Sequence, residues 1–385
     1  MIEIEGTVRF QRRAALFGAI ALAASIVWGF FRPDQFFQAW LVGYIYWLGI
    51  SLGSLSLLMV YYLTGGMWGY VPRRPLEAAA NTLPLMVVYC IPVMIGMHYL
   101  YPWSRPGALL DPDIKHQYPY LNIPFFVIRA IFYFAIWILL AWWYRRKSAL
   151  QDETADESIQ MRLFQVSGPA LVVYCVLTTF AGWDWIMSIA PKWHSTIFGM
   201  VVIVNQGLSA MAFAVAITFW LWKRPEIRRY ANAEVFHDMG NMLLMFIMFW
   251  AYVVFSQFLI IWSGNLKSEI AWYLPRYKTN WIGIGLFIVL FYFFIPFLFL
   301  LFRWVKSGRG FIIGIAGALL FVRLIDVIWT IEPNFHPTGL SISWMDILVP
   351  VGMGAFWMVW FLWELKKLPL LALHDARIER IEERA

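Results

Sequence analysis

Again and again along its 385 residues this chain turns apolar for about twenty positions, the length a helix needs to cross a hydrocarbon core about 30 Å thick. Ten such runs are expected: 12–31, 36–63, 77–99, 122–144, 164–189, 194–222, 238–263, 281–302, 310–330 and 341–365. The chain therefore reads as an all-α polytopic membrane protein with ten transmembrane helices. Charged residues make up only 14% of it and hydrophobic residues 61%, which leaves no room for a soluble domain. The net charge of +7 then belongs to the loops and is not a nucleic-acid signal. Arg12 and Arg13 ahead of the first run would suit a signal peptide. The run is long enough to cross, and the charge pattern below needs it retained.

Orientation follows from the basic residues, which collect on the cytoplasmic side of membrane proteins. With ten spans, the side holding the N-terminus (side A) receives 21 Lys and Arg, and the opposite side (side B) receives 7. Arg129 and Arg323 fall inside spans. Both termini are thus expected in the cytoplasm. Span 2 carries Gly49-x-x-x-Gly53, a spacing that lets helix backbones approach closely. Pro84 and Pro92 are expected to kink span 3. Residues 151–158 read as a solvated acidic loop, and 366–385 as a short charged surface helix.

Phe180 to Gly199 is the most informative stretch. Asp184 sits between Trp183 and Trp185 at the end of an apolar run, the chain turns at Pro191, and it re-enters the membrane at His194-Ser195-Thr196. Tryptophans belong at headgroup level. A carboxylate among them is costly and needs a partner or a task. Counted at 1.5 Å per residue, Asp184 lies roughly 8 Å and Arg129 about 10 Å below side B. His98 ends span 3 and His194 begins span 6 at the same surface. Two readings of this layer stay open: an Asp184–Arg129 ion pair that fixes packing, or a proton-exchanging pocket of Asp184, His194, His98 and Arg129. A second station is expected from Asp346, Asp326 and Arg323, with Glu332 and His336 in the outer loop between them. Arg323 and Asp326 are three apart and share a helix face. Asn205, Gln206, Ser256 and Gln257 could hold a mid-membrane water path or bond between helices.

Other chemistries are not visible. There is no phosphate-binding glycine loop, no metal-ligand spacing and no nucleophile motif. Cys90 and Cys175 lie inside apolar runs, and no Cys-x-x-Cys-His occurs. All six histidines fall at span ends, in loops or in the tail, so no buried haem pair is expected and the chain reads as lacking a redox centre of its own.

The pattern Gly182-Trp183-Asp184-Trp185-x-Met187-Ser188-x-x-Pro191-x-Trp193-His194-Ser195-Thr196 resembles the NrfD-like (polysulfide reductase membrane subunit) family. It is most similar to the branch found in bacterial alternative complex III, a quinol oxidoreductase, and there to the shorter, ActF-type subunit. The resemblance implies two four-helix bundles, spans 2–5 and 6–9, flanked by spans 1 and 10. That divides the chain into an outer helix (12–34), a first bundle (35–190), a second bundle (191–330), an outer helix (331–366) and a cytoplasmic tail (367–385). It further implies a subunit of the bacterial inner membrane without cofactors, beside a related NrfD-like subunit, with iron–sulfur and multihaem cytochrome c partners on the periplasmic side and membrane lipids around it. Haem and iron–sulfur clusters would belong to those partners, and quinol to the complex. In the family, quinol binds the longer relative at the periplasmic end of the first bundle. Arg129 stands here where such a pocket would want a neutral or acidic proton acceptor. Three functions are thus in view: a scaffolding and proton-conducting subunit, a quinol-binding subunit, and a stand-alone transporter.

Overall fold

The computed structural model describes residues 7–154 and 156–375. It is 83% helical, with no strand among the described residues. Among the described residues, ten helices are long and apolar enough to cross a membrane: Thr7–Phe31, Pro33–Thr64, Arg73–Ile95, Ile123–Thr154, Ser158–Ile189, Phe198–Trp222, Ala233–Gly264, Trp281–Leu301, Arg309–Asn334 and Met345–Leu365. They are numbered spans 1 to 10.

Burial sorts the spans into centre and rim. The most apolar window of span 2 is 89% buried and that of span 6 is 78% buried, against 17% for span 1 and 22% for span 8. Spans 2 and 6 pack against each other at the centre. Span 2 also touches spans 3, 5 and 10, while span 6 also touches spans 5, 7 and 9. Span 1 lies along span 10. The central contact depends on Gly53, where an added Cβ would come within 2.0 Å of the Gln206 carbonyl oxygen of span 6. Gly49 has room, with its nearest neighbour at 3.8 Å. Only one glycine of the expected pair is therefore needed for close approach.

Several boundaries differ from expectation, each for a local reason. Span 3 breaks at Asn81–Thr82, because Pro84 would clash with the carbonyl four residues back. Pro92, by contrast, is carried inside a continuous helix that runs to Ile95. Span 4 does not stop at Arg145-Arg146-Lys147 but continues to Thr154, since Arg, Lys and Gln are good helix formers. The expected acidic loop is thus partly helical. Its Asp156 caps the next helix, accepting from the Ser158 amide at 2.8 Å. Span 6 begins at Phe198, four residues beyond His194. A six-residue π-helical stretch, Val289–Phe294, precedes Pro296 in span 8. Residues 366–375 form turns around Pro369 instead of the expected helix, and 376–385 lie outside the described residues.

Candidate functional site

Span 4 enters at Ile123 and span 5 ends at side B, so Arg129 and Asp184 meet just beneath that surface. The pair is bidentate, with Arg129 Nε donating to Asp184 Oδ2 and Nη2 to Oδ1, both at 2.8 Å. Tyr133, one turn further along span 4, donates its hydroxyl to the same Oδ2 at 2.8 Å. The remaining Arg129 nitrogen, Nη1, donates to the Tyr120 carbonyl at 2.9 Å. The guanidinium also lies 3.9 Å from the Tyr120 ring centre and 4.3 Å from that of Phe125. Asp184 is 1% exposed. A charge buried this deeply is tolerated because each charged atom has a partner.

The two histidines expected in this layer are elsewhere. After Gly96 the short helix Met97–Leu100 turns Met97 and Leu100 inward. That leaves His98 on the exposed face. Trp193 is buried, stacked on Trp272 at 4.6 Å with the planes 15° apart, and this turns the adjoining His194 outward. Neither histidine bonds to Asp184 among the described residues.

His194 does face a cavity of about 460 Å³ whose wall includes Tyr120, Phe180, Trp183, Met187 and Trp193. The indole N–H groups of Trp183 and Trp193 are buried without an acceptor among the described residues. Tyr120 is shared between this wall and the Arg129 guanidinium, so ion pair and cavity adjoin. The loop after span 3 closes over the far side. Gln117 Nε2 donates to the Pro191 carbonyl at 2.7 Å, and Lys192 reaches Asp111 at 2.8 Å and Asp113 at 3.4 Å. The Lys192 ammonium and the Asp113 amide hold the Asp111 carboxyl below its ordinary range, and Asp111 and Asp113 raise Lys192 in return.

The second station divides. Arg323 and Asp326 form a buried ion pair within span 9. Asp346, in the first turn of span 10, accepts instead from the Ser343 amide of its own loop at 2.7 Å. Arg323 is joined by Asn205 and Gln206. It sits between two cavities of about 20 Å³ each, one touching Gln206 and the other Asn205. Each has room for about one water. Tyr174 donates to Gln206 Oε1 at 2.6 Å and Tyr292 to Asn205 Oδ1 at 3.3 Å. Gln257 lies with the side-B layer instead, donating to Tyr273 at 3.1 Å and accepting from Ser195 at 3.4 Å. Ser256 is half-buried on span 7. The four amides and hydroxyls do not line one path.

A buried charge cluster at side A escaped the sequence reading. Arg73 Nη1 donates to Asp375 at 2.8 Å, and Nη2 to Ser148 at 2.7 Å and Gln151 at 2.8 Å. Arg74 pairs with Glu77 at 2.7 Å and with Asp152. The spacing of Arg73 and Arg74 to Glu77, where span 3 is expected to begin, is visible in the sequence. The partners 75 to 302 positions away carry no local signal.

Fold and site together define a multi-pass, all-helical membrane protein with a compensated Arg–Asp pair beside a cavity at one surface. Compared with known proteins, the chain matches no family model and no curated sequence. No group of three or more His, Cys, Asp or Glu placed to hold a metal occurs among the described residues.

Proposed function

We propose that this chain is a cofactor-free integral membrane subunit of a quinol:electron-acceptor oxidoreductase of the alternative complex III kind. It would lie in a bacterial cytoplasmic membrane with both termini inside, hold periplasmic iron–sulfur and multihaem partners at side B, and conduct protons coupled to quinol oxidation. The observation that supports this reading is the folded motif itself. Residues 182–196 form one wall of the cavity, seat Asp184 in its ion pair and leave His194 exposed at side B. In this role Asp184 and Arg129 are positioning residues that fix Tyr120 and the cavity wall.

The test is turnover and proton stoichiometry in the intact complex. Asp184→Asn should lower coupled turnover, and the doubly neutral Arg129→Gln/Asp184→Asn should assemble yet remain slow. Normal turnover and stoichiometry in the assembled double variant would remove this pair from the function. Co-purification in mild detergent without haem or iron–sulfur partners would remove the whole reading.

The cavity favours a second reading, a quinol site within this chain. Its volume of about 460 Å³ is that of a small-molecule pocket, mainly apolar with a few polar groups. The indole N–H groups of Trp183 and Trp193 are donors that a quinone carbonyl could accept from. A photoreactive quinone analogue should then label residues 180–196. Labelling confined to a neighbouring subunit decides for the first reading.

A further inference from the structure

Arg323 is buried near the middle of span 9 and is paired through Nη1 with Asp326. Its Nε and Nη2 groups have no acceptor among the described residues. Two buried amides of span 6 share that condition. The side-chain oxygens of Asn205 and Gln206 are taken by the Tyr292 and Tyr174 hydroxyls. The NH2 group of each amide is left to donate, and neither has an acceptor among the described residues. In the hydrocarbon region no solvent receives such donors, and each one left over is costly.

The cavities on either side of Arg323 lie where acceptors are wanted. Each has a volume of about 20 Å³, and Ile45, Ile186 and Val202 wall both. The first is also bordered by Gln206 and Thr178, the second by Asn205 and Thr330. Thr178 is 1% exposed, and its Oγ1 has no hydrogen-bond partner among the described residues. The buried indole N–H of Trp185, on the same wall, has none either. Thr330 Oγ1 donates to the Asp326 backbone carbonyl at 2.8 Å and keeps lone pairs free to accept. A water needs about 10–15 Å³ and two to four polar partners. Each cavity offers that volume, a guanidinium and an amide that donate, and a threonine that accepts.

We propose that each cavity binds one water. The first joins Arg323 of span 9 to Gln206 of span 6 and Thr178 of span 5. The second joins Arg323 to Asn205 of span 6 and to Thr330 of its own span. The occupant is neutral. Asp326 already meets the Arg323 charge, so an anion would carry an unpaired charge into the membrane, and a cation would face donors. The guanidinium stands between the sites, which makes them two single-water positions and not a file. This site goes beyond the function proposed above and holds whether or not the chain serves a redox complex.

Crystals of the full chain grown in a lipidic phase test it, at a resolution that shows ordered water. The wild type should show one peak in each cavity, about 2.7–3.2 Å from an Arg323 nitrogen. Bromide soaks should give no anomalous peak in either. Thr178→Val keeps the shape and removes the hydroxyl, so it should weaken or abolish the first peak and leave the second. Thr330→Val should do the reverse. Where a variant fails to accumulate, the wild-type and bromide maps decide. A wild-type map with ordered water elsewhere and none beside Arg323 overturns the proposal. Bromide in either cavity overturns it too, in favour of an anion site. A first peak untouched by Thr178→Val removes the bridge to span 5, and a second untouched by Thr330→Val removes that threonine's part.

Discussion

Asp184 and Arg129 show how much one pair can decide. Removing one partner leaves the other charged and buried, which costs about 3–5 kcal/mol. Arg129→Ala should therefore lower stability by that amount in detergent unfolding, and the doubly neutral Arg129→Gln/Asp184→Asn should regain most of it. Gly53 makes a sharper contrast. Gly53→Ala drives a methyl into the Gln206 carbonyl of span 6 and should cost about 1–3 kcal/mol. Gly49→Ala, whose methyl would meet only an ordinary contact at 3.8 Å, should not destabilise in the same unfolding measurement. Depth alone put two charges of adjacent spans at one level, and left the ion pair as one of two readings until the structure joined them. An outward turn is an ordinary reading for interfacial histidines such as His98 and His194, but no local pattern fixes it. It follows from the Gly96 break and the Trp193–Trp272 stack, and these depend on contacts with residues far away in sequence.

Among the elements, the spans themselves were the most visible, since hydrophobic length is a local quantity. Their ends were less so. Span 4 overran three basic residues because its last turns combine good helix formers with a hold by Arg73 through Ser148 and Gln151, and that second contact no local pattern announces. The loop that clasps the cavity was legible only as proline-rich sequence. Its electrostatic tie invites a pH experiment. Asp111 has a lowered folded-state pKa, so its contribution is full at neutral pH and is lost as pH falls through that lowered value. Lys192 is raised, so its contribution is lost only as pH rises through its elevated value. Amide exchange in residues 111–117, taken relative to its intrinsic rate at each pH, should be slowest between those limits and faster in acid. High salt should speed it at neutral pH as well, because the pair is solvent-exposed. Exchange indifferent to both would show that Gln117 and the proline-rich backbone hold the loop without the ions.

The whole molecule is tied together at side A by residues that come late in the chain. Arg145 pairs with Glu364 at the end of span 10, and Asp375 enters the Arg73 cluster alongside Tyr61. Asp375→Asn should weaken that cluster and lower the melting temperature, whereas an exposed site such as Leu373→Ser should leave it unchanged. Arg73 is made 302 residues before its second carboxylate. While the ribosome is still adding spans 5 to 10, Arg73 has only Glu77, Ser148 and Gln151 to satisfy it. The side-A cluster can therefore close only once residue 375 has been made, and a nascent chain arrested before it would leave Arg73 without its second carboxylate.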